Sequence, residues 1–220
     1  QFSIGHAGFM AVGGYAATYL TVYHGAQIAA LAGTTLTSAV GASVVMVFSL
    51  LVGACAAALA GLAVGIPSLR LKGDYLAIVT LGFSEIIRVV ILNIPAVGGA
   101  TGFTNTTPIT NFFWIFSMAI LTILIVANIR SSTFGRALSA IREDEIAAKA
   151  MGINTRNMKL LAFGMGASFG GVAGVMFSTY QAFITPEAFS LAESVMIVAM
   201  VVLGGIGHLP GVIVGALLLA

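Results

Sequence analysis

The stretch Val40–Ile66 carries no charged side chain, and it exceeds the roughly 20 residues with which a helix crosses the hydrocarbon core of a bilayer. Nothing else in the chain restricts its fold as strongly. In hydrocarbon every backbone N–H and C=O must be paired within the protein, so a spanning segment is either a helix or a strand of a closed barrel. A barrel strand alternates apolar and polar residues over about ten positions, whereas this run is continuously apolar. Composition extends the argument to the whole chain. Of 220 residues, 59% are hydrophobic and 7% are charged, with a mean hydropathy of +1.09. Soluble domains hold roughly 25% charged residues, so this chain cannot clothe a water-facing globule. The expectation is an all-α, polytopic transmembrane helix bundle.

About seven apolar segments follow one another: Ala7–Tyr23, Val40–Ile66, Tyr75–Ile94, Phe112–Ile129, Leu160–Tyr180, Leu191–Ile206 and Gly211–Ala220. The sequence begins at Gln1 without a basic leader and stops at Ala220 inside an apolar run. It therefore reads as a single transmembrane domain cut at both ends, without a signal peptide. Cys55 has no partner for an internal disulfide, and it reads as a small packing residue. A net charge of +2 is too small to suggest nucleic acid.

The placement of charge sets the topology. Arg70 and Lys72 lie between the second and third segments. Arg130, Arg136, Arg142, Lys149, Arg156 and Lys159 lie between the fourth and fifth, so two loops hold eight of the nine basic residues. Two segments separate these loops, which puts them on one side, and basic loops stay cytoplasmic. Loops 67–74 and 130–159 are expected to face the cytoplasm from the plasma (inner) membrane. The stretches Tyr23–Ala39 and Pro95–Asn111 contain no Lys or Arg, and Gln181–Ser190 has only Glu187 as a charge.

Two segments carry small residues at four-residue spacing: Gly53, Ala57, Gly61 and Gly65, then Gly166, Gly170, Gly174 and Ser178. That spacing places each set on one helix face, where small residues let membrane helices approach closely. Static packing and a sliding or path-lining surface are both compatible with it. A shorter echo links Ile4-Gly5-His6 to Ile206-Gly207-His208.

Chemistry-bearing residues are few. There is no phosphate-binding loop, since none of the three lysines follows a glycine, and no His-Glu-x-x-His pattern. His6, His24 and His208 are scattered, which leaves no metal site. Glu85 and Arg88 stand out, because they fall near the middle of an apolar segment where a lone charge costs about 2.5–3.5 kcal/mol. Their spacing of three puts them on one face. They read either as part of a transport path or as a pair locking two helices, with Glu193 as a possible further partner.

The stretch 131–159 is patterned beyond a plain connector. Phe134, Leu138, Ile141, Glu145, Ala148 and Met151 recur at three- and four-residue steps, predicting a short amphipathic helix. Glu145 and Lys149 are suited to an i,i+4 pair, and Gly152 to a helix terminus. Asn154 or Thr155 suits the cap of the next helix. The helix either rests on lipid or docks a cytoplasmic partner.

Four segments, in order, resemble one family. They are Ser3-Ile-Gly-His-Ala-Gly8, Asp74-Tyr-Leu-Ala-Ile-Val-Thr-Leu-Gly-Phe-Ser-Glu-Ile-Ile-Arg88, Arg136-Ala-Leu-Ser-Ala-Ile-Arg-Glu-Asp-Glu-Ile-Ala-Ala-Lys-Ala-Met-Gly-Ile-Asn154, and Val201-Val-Leu-Gly-Gly-Ile-Gly207. The chain resembles the permeases of branched-chain amino acid ABC importers, the M-type more than the H-type. Its third segment is similar to their cytoplasmic coupling loop. Ala147, Ala148 and Gly152 fit the general Glu-Ala-Ala-x-x-x-Gly frame, but Ile146 takes the glutamate position and Glu145 stands one residue early.

The resemblance implies an ATP-driven importer that pairs this chain with a second permease. Two cytoplasmic ATPases would bind ATP-Mg, and an external protein would capture substrate. It implies no catalytic residue and no cofactor in this chain itself. ATPase coupling would fall to Leu138, Ile141, Arg142, Glu143, Glu145, Ala147, Ala148, Met151 and Gly152, with Leu138, Ile141, Ala148 and Met151 filling a groove on the ATPase. Related permeases carry urea, short amides or sugars, which are alternative substrates. A secondary transporter or channel using Glu85 with an ion gradient, or a non-transporting scaffold, are readings of another class.

Overall fold

The computed structural model describes residues 3–31, 33–69, 71, 74–104, 109–181, 183–205 and 207–219. Arg70 and Lys72, on which part of the charge argument rests, lie outside the described residues, as does Ile206 of the short echo. The architecture is all-α. Its helices are α1 (His6–Leu31), α2 (Ala39–Ser68), α3 (Asp74–Leu92), α4 (Phe112–Ser131), α5 (Thr133–Glu143), α6 (Glu145–Ala150), α7 (Thr155–Tyr180), α8 (Leu191–Gly204) and α9 (Leu209–Leu219).

Fewer helices are membrane spans than the seven apolar segments suggest. Among the described residues, five stretches are long and apolar enough to cross: Ala39–Ser68, Tyr75–Leu92, Phe112–Ser131, Thr155–Tyr180 and Pro186–Gly204. The helix α9 is apolar but has only 11 residues. The helix α1 is long, at 26 residues, but runs eight residues beyond the expected end at Tyr23, through His24 and Gln27. Its composition follows from its place. It lies at the centre of the molecule against α2, α3, α7 and α8, so much of its surface meets protein rather than lipid and need not be strongly apolar.

Glycine sets the spacing of that centre. The α2 stripe is used as expected. A side chain at Gly53 would meet Val175 and the Gly13 carbonyl, one at Gly61 would meet Ala167, and one at Gly65 would meet Phe163 and Leu160. The α7 stripe is used only in its second half, at Gly174 and buried Ser178. The space at Gly166 is open, and Gly170 is in ordinary contact with Phe9. Gly164 and Gly171, outside the expected stripe, make the close approach on α7 together with Gly174, and Ala167 is buried beside them. Opposite stand Gly13 and Gly14 of α1, which the spacing rule did not single out. Farther along, the Thr21 and Ser49 hydroxyls share a hydrogen bond of 3.3 Å between α1 and α2. Buried hydroxyls of this kind pair because hydrocarbon offers nothing else.

The two ends differ. At one end Phe103–Thr104 (β1) pairs antiparallel with Phe183–Ile184 (β2), joining two of the three loops that lack basic residues. Tyr15, Phe177 and Phe189 pack beneath this ribbon. At the other end Leu69 and Leu76, on either side of Arg70 and Lys72 in sequence, line one cavity with Leu138 and Ile141 of α5. The described residues on either side of Arg70 and Lys72 thus lie at the same end as α5, in keeping with the charge pattern. Lys149, 59% exposed in its side chain at that end, is the position to test. With exposed Cys55 replaced by alanine, Lys149→Cys is expected to react with an impermeant maleimide only from the cytoplasmic side. Reaction from outside would reverse the topology.

Candidate coupling platform and intramembrane ion pair

The stretch expected to form one amphipathic helix is two helices that meet at Asp144. Its backbone is extended, with φ of −151°, and its carboxylate accepts from Ile146 N at 2.8 Å and Ala147 N at 3.1 Å. An aspartate in this position satisfies donors that the first turn of α6 leaves free. The other end of α6 is closed with equal economy. Gly152 adopts φ of +83°, where a side chain would be strained. Its N–H donates to the Lys149 carbonyl at 3.0 Å and the Ile153 N–H to the Ala148 carbonyl at 3.1 Å, the pairing of a Schellman terminus. Gly152 as the residue after the helix was legible from sequence, while the break at Asp144 was not. Asn154 then caps α7, accepting from Asn157 N at 3.1 Å.

Burial redistributes the expected docking face. Ile141 is 8% exposed and Ala148 only 3%, because both pack into this chain, and Leu138 is half-buried. Ile141 and Ala148 thus already have their contacts within this chain. The apolar side chains that do project are Ile146, at 80% exposure, and Met151, at 82%, with exposed Ala147 between them. Arg142 and Glu143 are exposed and bonded to each other at 2.8 Å.

Glu145 turns the other way, toward α7. Its Oε2 accepts from Lys159 Nζ at 2.6 Å, and its Oε1 accepts from Thr155 Oγ1 at 3.4 Å and lies 3.4 Å from Lys149 Nζ. The hydrogen bond from Lys159 is the chief cause that holds the Glu145 carboxyl below its usual range, and burial opposes it more weakly. A carboxyl depressed on folding keeps its contribution at every pH above its unfolded value of about 4.3. It loses that contribution only as pH falls through the depressed value, so the contact is intact across the neutral range. Behind it lies a cavity of about 460 Å³, with Arg142, Glu145 and Lys159 on one wall and Phe9, Phe163 and Gly166 on another.

The second candidate site is on α3. Arg88 Nε donates to Glu85 Oε2 at 2.8 Å, with side chains 28% and 35% exposed. The pairing expected from sequence is present, and among the described residues it lies within one helix. Glu193 is exposed in the first turn of α8, and among the described residues no ion pair joins it to Arg88. Gly166-Ala-Ser-Phe-Gly170 formally matches the Gly-x-Ser-x-Gly pattern of hydrolases. Here it is continuous helix, and Ser168 Oγ donates to the Met165 carbonyl at 2.7 Å, so no nucleophile is presented.

These features describe a polytopic helical membrane protein with a preformed helical platform at its basic end and a charge pair within a spanning helix. Residues 1–220 match the family described as branched-chain amino acid transport system / permease component, and the chain belongs to that family. It is similar to the high-affinity branched-chain amino acid transport system permease protein LivM of Escherichia coli (strain K12), with 35% identity over 98% of this chain and 55% of that protein. It is 33% identical to the probable branched-chain amino acid transport permease protein LivM of Methanocaldococcus jannaschii, over 96% of this chain and 67% of that protein. A partial likeness, 36% over 56% of this chain and 40% of the relative, is to the permease protein LivH of Salmonella typhimurium. The chain thus spans about half the length of the LivM protein of Escherichia coli. No solved structure matches it.

Proposed function

We propose that this chain is the M-type permease of an ATP-driven importer and forms half of a translocation path for branched-chain amino acids across the inner membrane. A second, LivH-like permease would supply the other half. An external protein would deliver substrate, and two cytoplasmic ATPases, holding ATP-Mg, would supply the work. The chain itself contributes no catalytic group. The relatives support the substrate class, since the likeness to the branched-chain amino acid permease LivM covers 98% of the chain. A likeness to the xylose transport system permease protein XylH of Haemophilus influenzae, 35% over 49% of the chain, supports a sugar as the second reading for the same machine. Binding assays on the cognate external protein, with leucine, isoleucine, valine and xylose as probes, separate the two.

The observation that carries the coupling role is the platform. The helix α6 is closed at both ends, held against α7, and projects Ile146 and Met151 at 80% and 82% exposure from the basic end. Apolar side chains on a short helix fit a partner's groove, and such anchors dominate the energy of an interface. Ile146→Asp and Met151→Asp are each expected to cut ATPase co-purification about ten-fold or more. Neither faces the interior of the chain, so membrane insertion should be unchanged. Full ATPase association in both variants would leave α6 lying on lipid and remove the docking assignment.

A further inference from the structure

We infer that Glu145 is a positioning residue that fastens α6 to the first two turns of α7, so that movement of the platform is delivered to the helix bundle. The inference rests on the reading of α6 as the ATPase-docking helix. It goes beyond that reading by assigning the inward face a task separate from docking.

The reasoning begins with length. The helix α6 has six residues, and a helix that short has no stability of its own in water. The Asp144 cap and the Gly152 terminus satisfy its ends, but they bind α6 only to its own loop. Two contacts reach sideways: the buried Ala148, and the Glu145 carboxylate with Lys159 and Thr155. Of these, only the carboxylate is directional. It spans ten residues to Thr155, the first of α7, and fourteen to Lys159. The Lys159 side chain is 16% exposed and that of Glu145 is 29% exposed, which shields the pair from much of the screening that weakens surface ion pairs.

From Lys159 the contacts continue along α7 beside the cavity. One turn on, Phe163 and Gly164 meet Gly65 and Leu62 of α2, and Ala167 meets Gly61. Apolar side chains face outward on α6 and the carboxylate faces inward, so grip and transmission are carried by different residues. A force applied at Ile146 or Met151 passes through Glu145 to the contact between α7 and α2. Without the carboxylate, a partner can still hold α6, but α6 can shift before α7 does.

The test uses the assembled importer in vesicles, with full-length permeases, ATPases and external binding protein. Two quantities are read: ATPase co-purified, and substrate imported per ATP hydrolysed. Glu145→Gln and Lys159→Met are each expected to keep wild-type ATPase association and to lower the import-to-hydrolysis ratio about five-fold, within the span of mutations in a coupled network. Exchanging the two charges, Glu145→Lys with Lys159→Glu, is expected to restore most of the ratio, which a general loss of folding would not allow. A wild-type ratio in Glu145→Gln overturns the inference. So does an exchange that fails to restore a ratio lost in the single variants. Loss of ATPase association in Glu145→Gln would instead put the carboxylate in the docking contact and overturn it too. Failure of the docking reading is seen separately, as full association in Ile146→Asp and Met151→Asp.

Discussion

Gly171→Ala is expected to lower the thermal midpoint of the detergent-solubilised protein by about 5 °C or more, whereas Gly166→Ala is expected to leave it unchanged or raise it. Both residues lie inside α7, so both substitutions gain the same intrinsic helix propensity, about 1 kcal/mol over glycine. What differs is the space. A methyl at Gly171 would stand 2.7 Å from the Gly53 carbonyl oxygen and closer still to the Ala57 side chain, while among the described residues nothing beyond its own stretch of helix lies within 4 Å of one at Gly166. The obstacle at Gly171 is backbone, which cannot rotate away, so α2 and α7 must separate. Overpacking costs roughly 1–3 kcal/mol, and every contact along the stripe shares in the separation. Fluorescence-detected gel filtration after heating reads the difference. An equal or larger loss in Gly166→Ala would mean that the interface lies on the face marked by Gly166 and Gly170.

That pair also shows how far four-residue spacing carries. On α2 the set Gly53, Ala57, Gly61 and Gly65 was readable, since the alternative registers are filled by larger residues such as Leu51 and Leu59. On α7, Gly164, Gly166, Gly170, Gly171 and Gly174 support two registers at once. The choice between them depends on where α1 and α2 lie, which the pattern does not encode. The helix α1 was under-read for a related reason. His24 and Gln27 look like a loop, yet the helix continues to Leu31 because its last turns pack on α2, with Gly25 against Leu36 and Val45.

The coupling loop was legible in its periodicity and its terminal glycine, and misread at Asp144. Apolar residues before and after the break remain roughly in phase, so their spacing resembles one helix even though the hydrogen-bond ladder stops. The Asp144 carboxylate capping two N–H groups was the available signal. Burial of Ile141 and Ala148 was beyond the sequence, because amphipathic spacing identifies an apolar face without saying whether this chain or a partner covers it.

Glu85→Leu is expected to reduce the membrane-inserted yield sharply, and Glu85→Leu with Arg88→Leu to restore yield without restoring transport. The two charges neutralise each other at 2.8 Å within the span Tyr75–Leu92. Removing only the carboxylate leaves a guanidinium that can neither deprotonate nor find another acidic partner among the described residues. The cost of such a charge is about 2.5–3.5 kcal/mol on insertion scales, and removing one partner of a shielded pair is worse than removing both. The double variant relieves that cost, so yield recovers. Transport is a separate question, which the position of the pair addresses. Ser84, Ile87 and Ile91 are the α3 residues turned toward α1, whereas Glu85 and Arg88 remain about a third exposed beside that contact. A pair that does not join two helices of this chain has no packing role to explain its cost. The proposed translocation path assigns the pair a role in transport, which is what the double variant tests. Quantified immunoblots of washed membranes report yield, and uptake per permease reports transport. Full uptake by the double variant would make the pair dispensable and take α3 out of the proposed path.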